Sequence, residues 1–134
     1  MASQLDRTRT TEEKADEINT VGQDRMLLGT RVVTADGGAE TNIMSTKLLE
    51  LLRGLKYGEF VIVHVPGTRG EDHYVQAYHE SARTWHLEYR DGGPDRHYGA
   101  DCHSTSVVYE ILASWADDSP DWRERLPWQR MELL

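Results

Sequence analysis

Histidine and cysteine are the residues of this sequence with the most evident chemical potential. The chain has six histidines and one cysteine, and His97, Cys102 and His103 lie close together in "HYGADCH". Imidazole and thiolate groups bind zinc, and a cysteine beside a base can act as a nucleophile. However, no CxxC, HExxH or GxSxG motif is present, no fourth zinc ligand is evident, and adjacent residues of an extended segment point apart.

We therefore predict that the protein is not an enzyme and that it has no catalytic residue, no metal site and no cofactor. A zinc site or a reactive thiol at His97, Cys102 and His103 is a third hypothesis, which ranks below two hypotheses of protein binding.

A second set of candidates lies in "HYVQAYHESARTWHLEY", residues 73 to 89, which predicts two strands around a turn. Because side chains alternate along a strand, Tyr74, Gln76 and Tyr78 share one face, and Glu88 lies on the next strand. Tyrosine is favoured on surfaces that are alternately wet and buried. We predict that these four residues contact a partner on a sheet face that the chain leaves uncovered.

The charge of the chain limits the partners that this face could bind. With 23 acidic and 15 basic residues the formal net charge is −8, which is repelled by phosphate backbones and anionic lipids. We therefore expect a protein or peptide client, no nucleic acid and no membrane. A single cysteine excludes an internal disulfide, and we expect a cytoplasmic protein because neither a signal-peptide pattern nor a long apolar run is seen.

Composition divides the 134 residues into three parts. Residues 1–24 have few large apolar side chains, so we predict a disordered polar arm. Residues 25–44 contain short apolar runs and predict a weakly ordered lead-in segment. Residues 45–134 predict a single α+β domain, since the chain is long enough for one modest core.

Helical and extended patterns alternate within this domain. Leucines at helical spacing predict a helix over about 46–56, capped by Ser45, and a Val, Ile and Trp stripe predicts a second helix, capped by Ser104 or Ser106. The run "EFVIVHV" predicts a central strand covered on both faces, and "DRHYGA" predicts a short edge strand. We therefore expect a two-layer α+β fold, with an antiparallel sheet of three to five strands and two main helices packed on one face. The tail, with Trp122, Leu126 and Trp128, should fold back onto it.

The order helix, strand, "HYVQAY", strand containing "HLEY" and Trp-bearing helix resembles the YbjN-like, secretion-chaperone-like group of small bacterial proteins, over about residues 45–130. The Tyr74, Val75 and Gln76 triplet, followed by Leu87 and Glu88, is similar to that group's YVQ strand and acid-ended next strand. The resemblance implies a non-enzymatic protein that holds an unfolded or secreted client, often as a dimer. The chain also resembles small actinobacterial proteins of uncharacterised role.

Two leading hypotheses follow. The first is a chaperone-like protein- or peptide-binding module that contacts its client through an aromatic sheet face or edge, with a homodimer as one arrangement. The alternative is an acidic immunity or antitoxin protein that blocks a basic toxin by charge complementarity.

Overall fold

The computed structural model describes residues 24–65 and 72–132. Within them, seven strands form one antiparallel sheet in the order β2-β1-β3-β4-β5-β6-β7. The strands are β1 (Arg31–Thr34), β2 (Ala39–Thr41), β3 (Phe60–His64), β4 (His73–Ser81), β5 (Thr84–Asp91), β6 (His97–Cys102) and β7 (Gln129–Arg130). The helices are α1 (Ser45–Gly54) and α2 (Thr105–Ala116), with 3-10 turns at Pro94–Arg96 and Pro120–Glu124.

Alternation of side chains explains which residues face the helices. Val61 and Val63 of β3 are fully buried, whereas Phe60, Ile62 and His64, which alternate with them, are half-buried. The same alternation runs through β4 and β5, and the buried set joins the leucines of α1 and the apolar stripe of α2 in one core. Both helices therefore cover one face of the sheet, and we call the opposite side the open face.

Each helix begins with a side-chain cap, although the two caps differ. In α2, Ser104 accepts a hydrogen bond from the Val107 amide at 3.3 Å, which confirms one of the two predicted caps. In α1, Ser45 is the first helical residue instead of the cap. Asp24, from the segment before the sheet, accepts a hydrogen bond from the Thr46 amide at 3.0 Å, and this bond lowers the pKa of its carboxyl group.

An aromatic cluster on the helix side joins the end of the chain to the sheet. The ring of Tyr89 lies 4.9 Å from Tyr98, 4.6 Å from Trp122 and 4.8 Å from Trp128, measured between centroids. Trp122 is 5% exposed, and β7 pairs with β6. The prediction that the tail folds back is therefore confirmed, and aromatic burial accounts for it.

The α+β class, with two helices and an antiparallel sheet, is confirmed, but the predicted number of three to five strands is wrong. The interval 25–44, expected to be weakly ordered, supplies β1 and β2 and buries Leu27, Val32 and Ile43 in the core. The tail supplies β7, so β6 in "DRHYGA" is not the edge strand that was predicted. The strands β1, β2 and β7 are too short to give a clear period in the sequence.

The run "EFVIVHV" does form an interior strand, β3, but only one of its faces is fully covered. The disordered arm predicted for residues 1–24 lies outside the described residues, apart from Asp24. Among the described residues no helix is both long enough and apolar enough to cross a membrane.

Truncating Trp122 tests the role of the aromatic cluster in stability. Because its ring is buried against Tyr89 and Trp115, Trp122→Ala should lower the free energy of unfolding in urea by about 3 to 5 kcal/mol. Leu28, which is 71% exposed, provides the control, since Leu28→Ala should change it by less than about 0.5 kcal/mol. Equal effects of the two substitutions would contradict this view of the tail.

Candidate functional site

The open face brings together the residues that the sequence singled out. Tyr74, Gln76 and Tyr78 project from β4 on the side opposite the buried Val75 and Ala77. Glu88 projects from β5 on the same side and lies directly opposite Gln76 in the strand register. These four residues thus share one surface, which also includes Phe60, Ile62, His64, His86, Arg90, His97 and Asp101.

Strand register arranges this surface in rows across the sheet. One row runs from Ile62 through Gln76 and Glu88 to Gly99. A neighbouring row runs from Phe60 through Tyr78 and His86 to Asp101, and another from His64 through Tyr74 and Arg90 to His97. Apolar and aromatic side chains therefore predominate on β3 and β4, and ionisable side chains predominate on β5 and β6.

Glu88 links the ionisable half of the open face. Its Oε1 lies 2.7 Å from Nε2 of His97, and its Oε2 lies 3.0 Å from Nε2 of His86. Nε of Arg90 donates a hydrogen bond of 3.2 Å to Nδ1 of His97. Because an arginine nitrogen can only donate, Nδ1 of His97 is the accepting nitrogen and Nε2 carries the proton that is donated to Glu88. His97 is 3% exposed, and its ring is held between Arg90 and Glu88.

His86 occupies a different electrostatic setting, because both of its ring nitrogens face carboxylates. Its Nδ1 lies 2.8 Å from Oδ1 of Asp101, while Nε2 faces Glu88. Burial alone would lower the pKa of His86, but hydrogen bonds to Asp101 and Glu88 and their negative charges outweigh it, so the pKa is raised. The doubly protonated ring satisfies both carboxylates, whereas the neutral ring can donate to only one.

Arg90 connects this network to the aromatic half of the face. Its guanidinium carbon lies 5.8 Å from the centre of the Tyr74 ring, and its Nη1 lies 3.3 Å from Oδ1 of Asp72. The Tyr74 ring also lies 6.1 Å from the ring of His97 and 5.7 Å from that of His64. The Tyr74 ring therefore has contacts with Arg90, His97 and His64 within the chain.

The third hypothesis placed His97, Cys102 and His103 in one site, and the structure separates them. His97 lies on the open face, while Cys102 is buried in the core on the helix side, with Sγ 3.5 Å from the Ser104 carbonyl oxygen. His103 is exposed, and its Nδ1 lies 3.1 Å from the Arg83 carbonyl oxygen. No group of His, Cys, Asp and Glu in the described part of the chain is arranged to hold a metal ion; the absence of a metal site stays a prediction.

Sequence reasoning missed about half of the open face. Phe60 and Ile62 were assigned to a strand covered on both sides, and His86, Arg90 and Asp101 were not selected. The alternation within β5 did place His86 and Arg90 beside Glu88, so the period-two rule could have found them. Asp101 needed the register between β5 and β6, which the sequence does not specify.

Comparisons of the chain with protein-family models, with curated proteins and with solved structures gave no match.

Titration of His86 tests the geometry of the ionisable half. The folded-state pKa of His86 lies above the ordinary value of about 6.5. Protonated His86 therefore makes its full contribution to the free energy of unfolding at pH values below its pKa in the unfolded chain. That contribution is lost as the pH rises through the folded pKa. NMR titration should show the raised pKa of His86, and Asp101→Asn should lower it.

The matched control is Asp121→Asn, which removes the same charge from an exposed residue on the 3-10 turn at Pro120–Glu124. It should leave the His86 titration unchanged. A pKa of His86 at or below its ordinary value, or an equal response to both substitutions, would contradict the described contacts.

Proposed function

We propose that this protein is a non-enzymatic, chaperone-like binding module that covers its open face with a partner protein or peptide. The observation that supports this most strongly is a set of large, half-buried apolar and aromatic side chains on a sheet face against which no described helix packs. Phe60, Ile62, Tyr74 and Tyr78 are the principal members of this set. The solvent face of an antiparallel sheet is ordinarily polar, so these side chains need another explanation.

Burial energetics favour a partner for this surface. Aromatic side chains can each bury about 150 to 250 Å², and removing apolar surface from water contributes about 25 cal/mol per Å². Tyr74 and Tyr78 are still partly exposed in the isolated chain. A partner that covers them therefore gains hydrophobic free energy, while their hydroxyl groups remain able to form hydrogen bonds across the interface.

The hydrogen-bonded network beside the tyrosines supports the same role. Glu88 bridges His86 and His97, and Arg90 joins His97 to the Tyr74 ring. Side chains that are already fixed lose little conformational entropy when a partner binds. Tyrosine and arginine are also the residue types enriched in interface hot spots. In this proposal Gln76 and Glu88 supply polar contacts beside the tyrosine anchors.

The resemblance to secretion-chaperone-like proteins suggests an extended or unfolded client, and we extend the proposal to a cytoplasmic location on the basis of the single cysteine. A homodimer would be one way of covering the open face. A second copy is thus one class of partner that the experiment below distinguishes from a client.

Site-specific cross-linking identifies the partner and its position together. The photo-reactive residue benzoylphenylalanine replaces Gln76 on the open face and, in the matched control, Ser106 on the exposed side of α2. Irradiation in the native cells should give a discrete adduct only from position 76, and its mass separates a client from a second copy. A discrete adduct only from position 106, or none from position 76, would contradict the proposal.

Substitution of both tyrosines then tests their contribution to binding. With the partner so identified, Tyr74→Ala with Tyr78→Ala should weaken binding by about 30-fold or more, because two aromatic anchors are removed. The free energy of unfolding should change by less than about 1 kcal/mol, since both rings are only half-buried. Tyr57→Ala, at a residue 64% exposed, is the control that should not affect binding. A large loss of stability with unchanged binding would assign the tyrosines to the core instead.

A second candidate function is an acidic immunity or antitoxin protein. The observation that favours it is the presence of carboxylates on the open face itself, at Glu88 and Asp101, in a chain of net charge −8. For such a protein the association rate with a basic toxin should fall steeply as salt is added. An association rate that hardly depends on salt would favour the aromatic contacts of the first proposal.

A further inference from the structure

A second candidate surface lies on the helix side of the sheet, remote from the open face. Two adjoining cavities of about 230 and 380 Å³ lie where α1 crosses the hairpin formed by β1 and β2. Thr34, Asp36 and Leu51 line both cavities, which therefore adjoin in one region of the surface. We call it the α1 groove.

The α1 groove combines an apolar floor with a negatively charged rim. The floor is formed by Leu51 and Leu55, which are partly buried and pack against the core. Four carboxylates line the two cavities, at Asp36, Glu40, Glu50 and Glu59, against the single cation of Lys47. Lys47 is itself paired with Glu40, at 3.6 Å between Nζ and Oε2. A positively charged occupant is therefore favoured.

Asp36 is fixed where the two cavities meet. Its Oδ1 accepts hydrogen bonds from the Thr34 hydroxyl group at 2.6 Å and from the Gly38 amide at 2.9 Å. These bonds lower the pKa of the carboxyl group. Gly37, with φ of 90°, allows the tight turn that places this side chain. The carboxylate is thus charged and oriented without an occupant.

The edge of the sheet adjoins the groove. Strand β2 is the outermost strand, all three of its residues are exposed, and it pairs only with β1 among the described strands. Its outer backbone groups can therefore pair with an extended segment of another protein. Ala39 and Glu40 of this strand also line the groove.

We propose that the α1 groove docks an extended basic segment of a partner protein, with an apolar side chain on Leu51 and flanking Lys or Arg side chains at the carboxylate rim. Charge complementarity selects this occupant. At this groove the four rim carboxylates repel the acidic surface of a second copy and an anionic membrane. Binding at the α1 groove is additional to the proposed function, because the groove is separate from the open face.

The test uses the full chain, labelled with ¹⁵N, and a synthetic peptide of sequence Arg-Leu-Arg-Leu-Arg with blocked ends. NMR shift changes on titration at low salt should centre on Thr34, Asp36 and Leu51. A peptide in which serine replaces leucine should bind more weakly, and one in which glutamate replaces arginine should not bind. Shift changes that are scattered, or centred on the open face, would overturn the proposal.

Matched charge variants separate a specific site from a generally acidic surface. Glu40→Gln with Glu50→Gln should weaken peptide binding about three- to tenfold, because two exposed rim charges are lost. Asp121→Asn with Glu124→Gln removes the same charge from the 3-10 turn at Pro120–Glu124 and should leave affinity unchanged. Equal losses of affinity in both pairs of variants, or equal binding of the serine peptide, would overturn the proposal. Binding would then follow from the overall negative charge of the protein surface.

These outcomes are independent of the open face. Tyr74 and Tyr78 are intact in every variant of this experiment, so its failure would leave the proposed function in place. Loss of partner binding in the double tyrosine variant would likewise leave the groove proposal in place.

Discussion

The structure depends on a seven-stranded antiparallel sheet whose described helices cover one face only. Side chains alternate along every strand, so this single fact decides which residues enter the core and which meet the solvent. Val61, Val63, Val75 and Leu87 are fully buried beneath α1 and α2. Their neighbours in sequence form the open face, whose large apolar side chains are left half-exposed.

The open face is organised by interactions within itself. Glu88 accepts hydrogen bonds from two histidines, and the tautomer of His97 follows from its contact with Arg90. The tail contributes as well, since the side chain of Met131 lies over Gly99, where an added Cβ would come within 2.7 Å of its sulfur atom. The same face thus combines fixed polar contacts with aromatic surface.

The sequence predicted the interior of the fold better than its edges. The leucine spacing of α1, the capped stripe of α2 and the hairpin of β4 and β5 each have a clear local period, and each is found in the structure. The short strands β1, β2 and β7 have none, because two to four residues are too few to show a clear alternation. Their positions come from tertiary contacts such as the Trp122 ring against Tyr89.

The candidate site was predictable to a similar extent. Alternation was enough to place Tyr74, Gln76 and Tyr78 on one face. The pairing of Asp101 with His86 and of His97 with Glu88 depends on strand register, which a single sequence leaves open. Conversely, closeness in sequence suggested a site at His97, Cys102 and His103, but the pleat of β6 directs His97 and Cys102 to opposite faces.

Tyrosine-selective iodination, read by mass spectrometry, tests the central claim most directly. In the isolated chain Tyr74, Tyr78 and the exposed Tyr57 should react, whereas the buried Tyr89 and Tyr109 should not. In the protein labelled inside its native cells, Tyr74 and Tyr78 should be protected while Tyr57 still reacts. Equal reactivity of Tyr74 and Tyr78 in both preparations would show that nothing covers the open face.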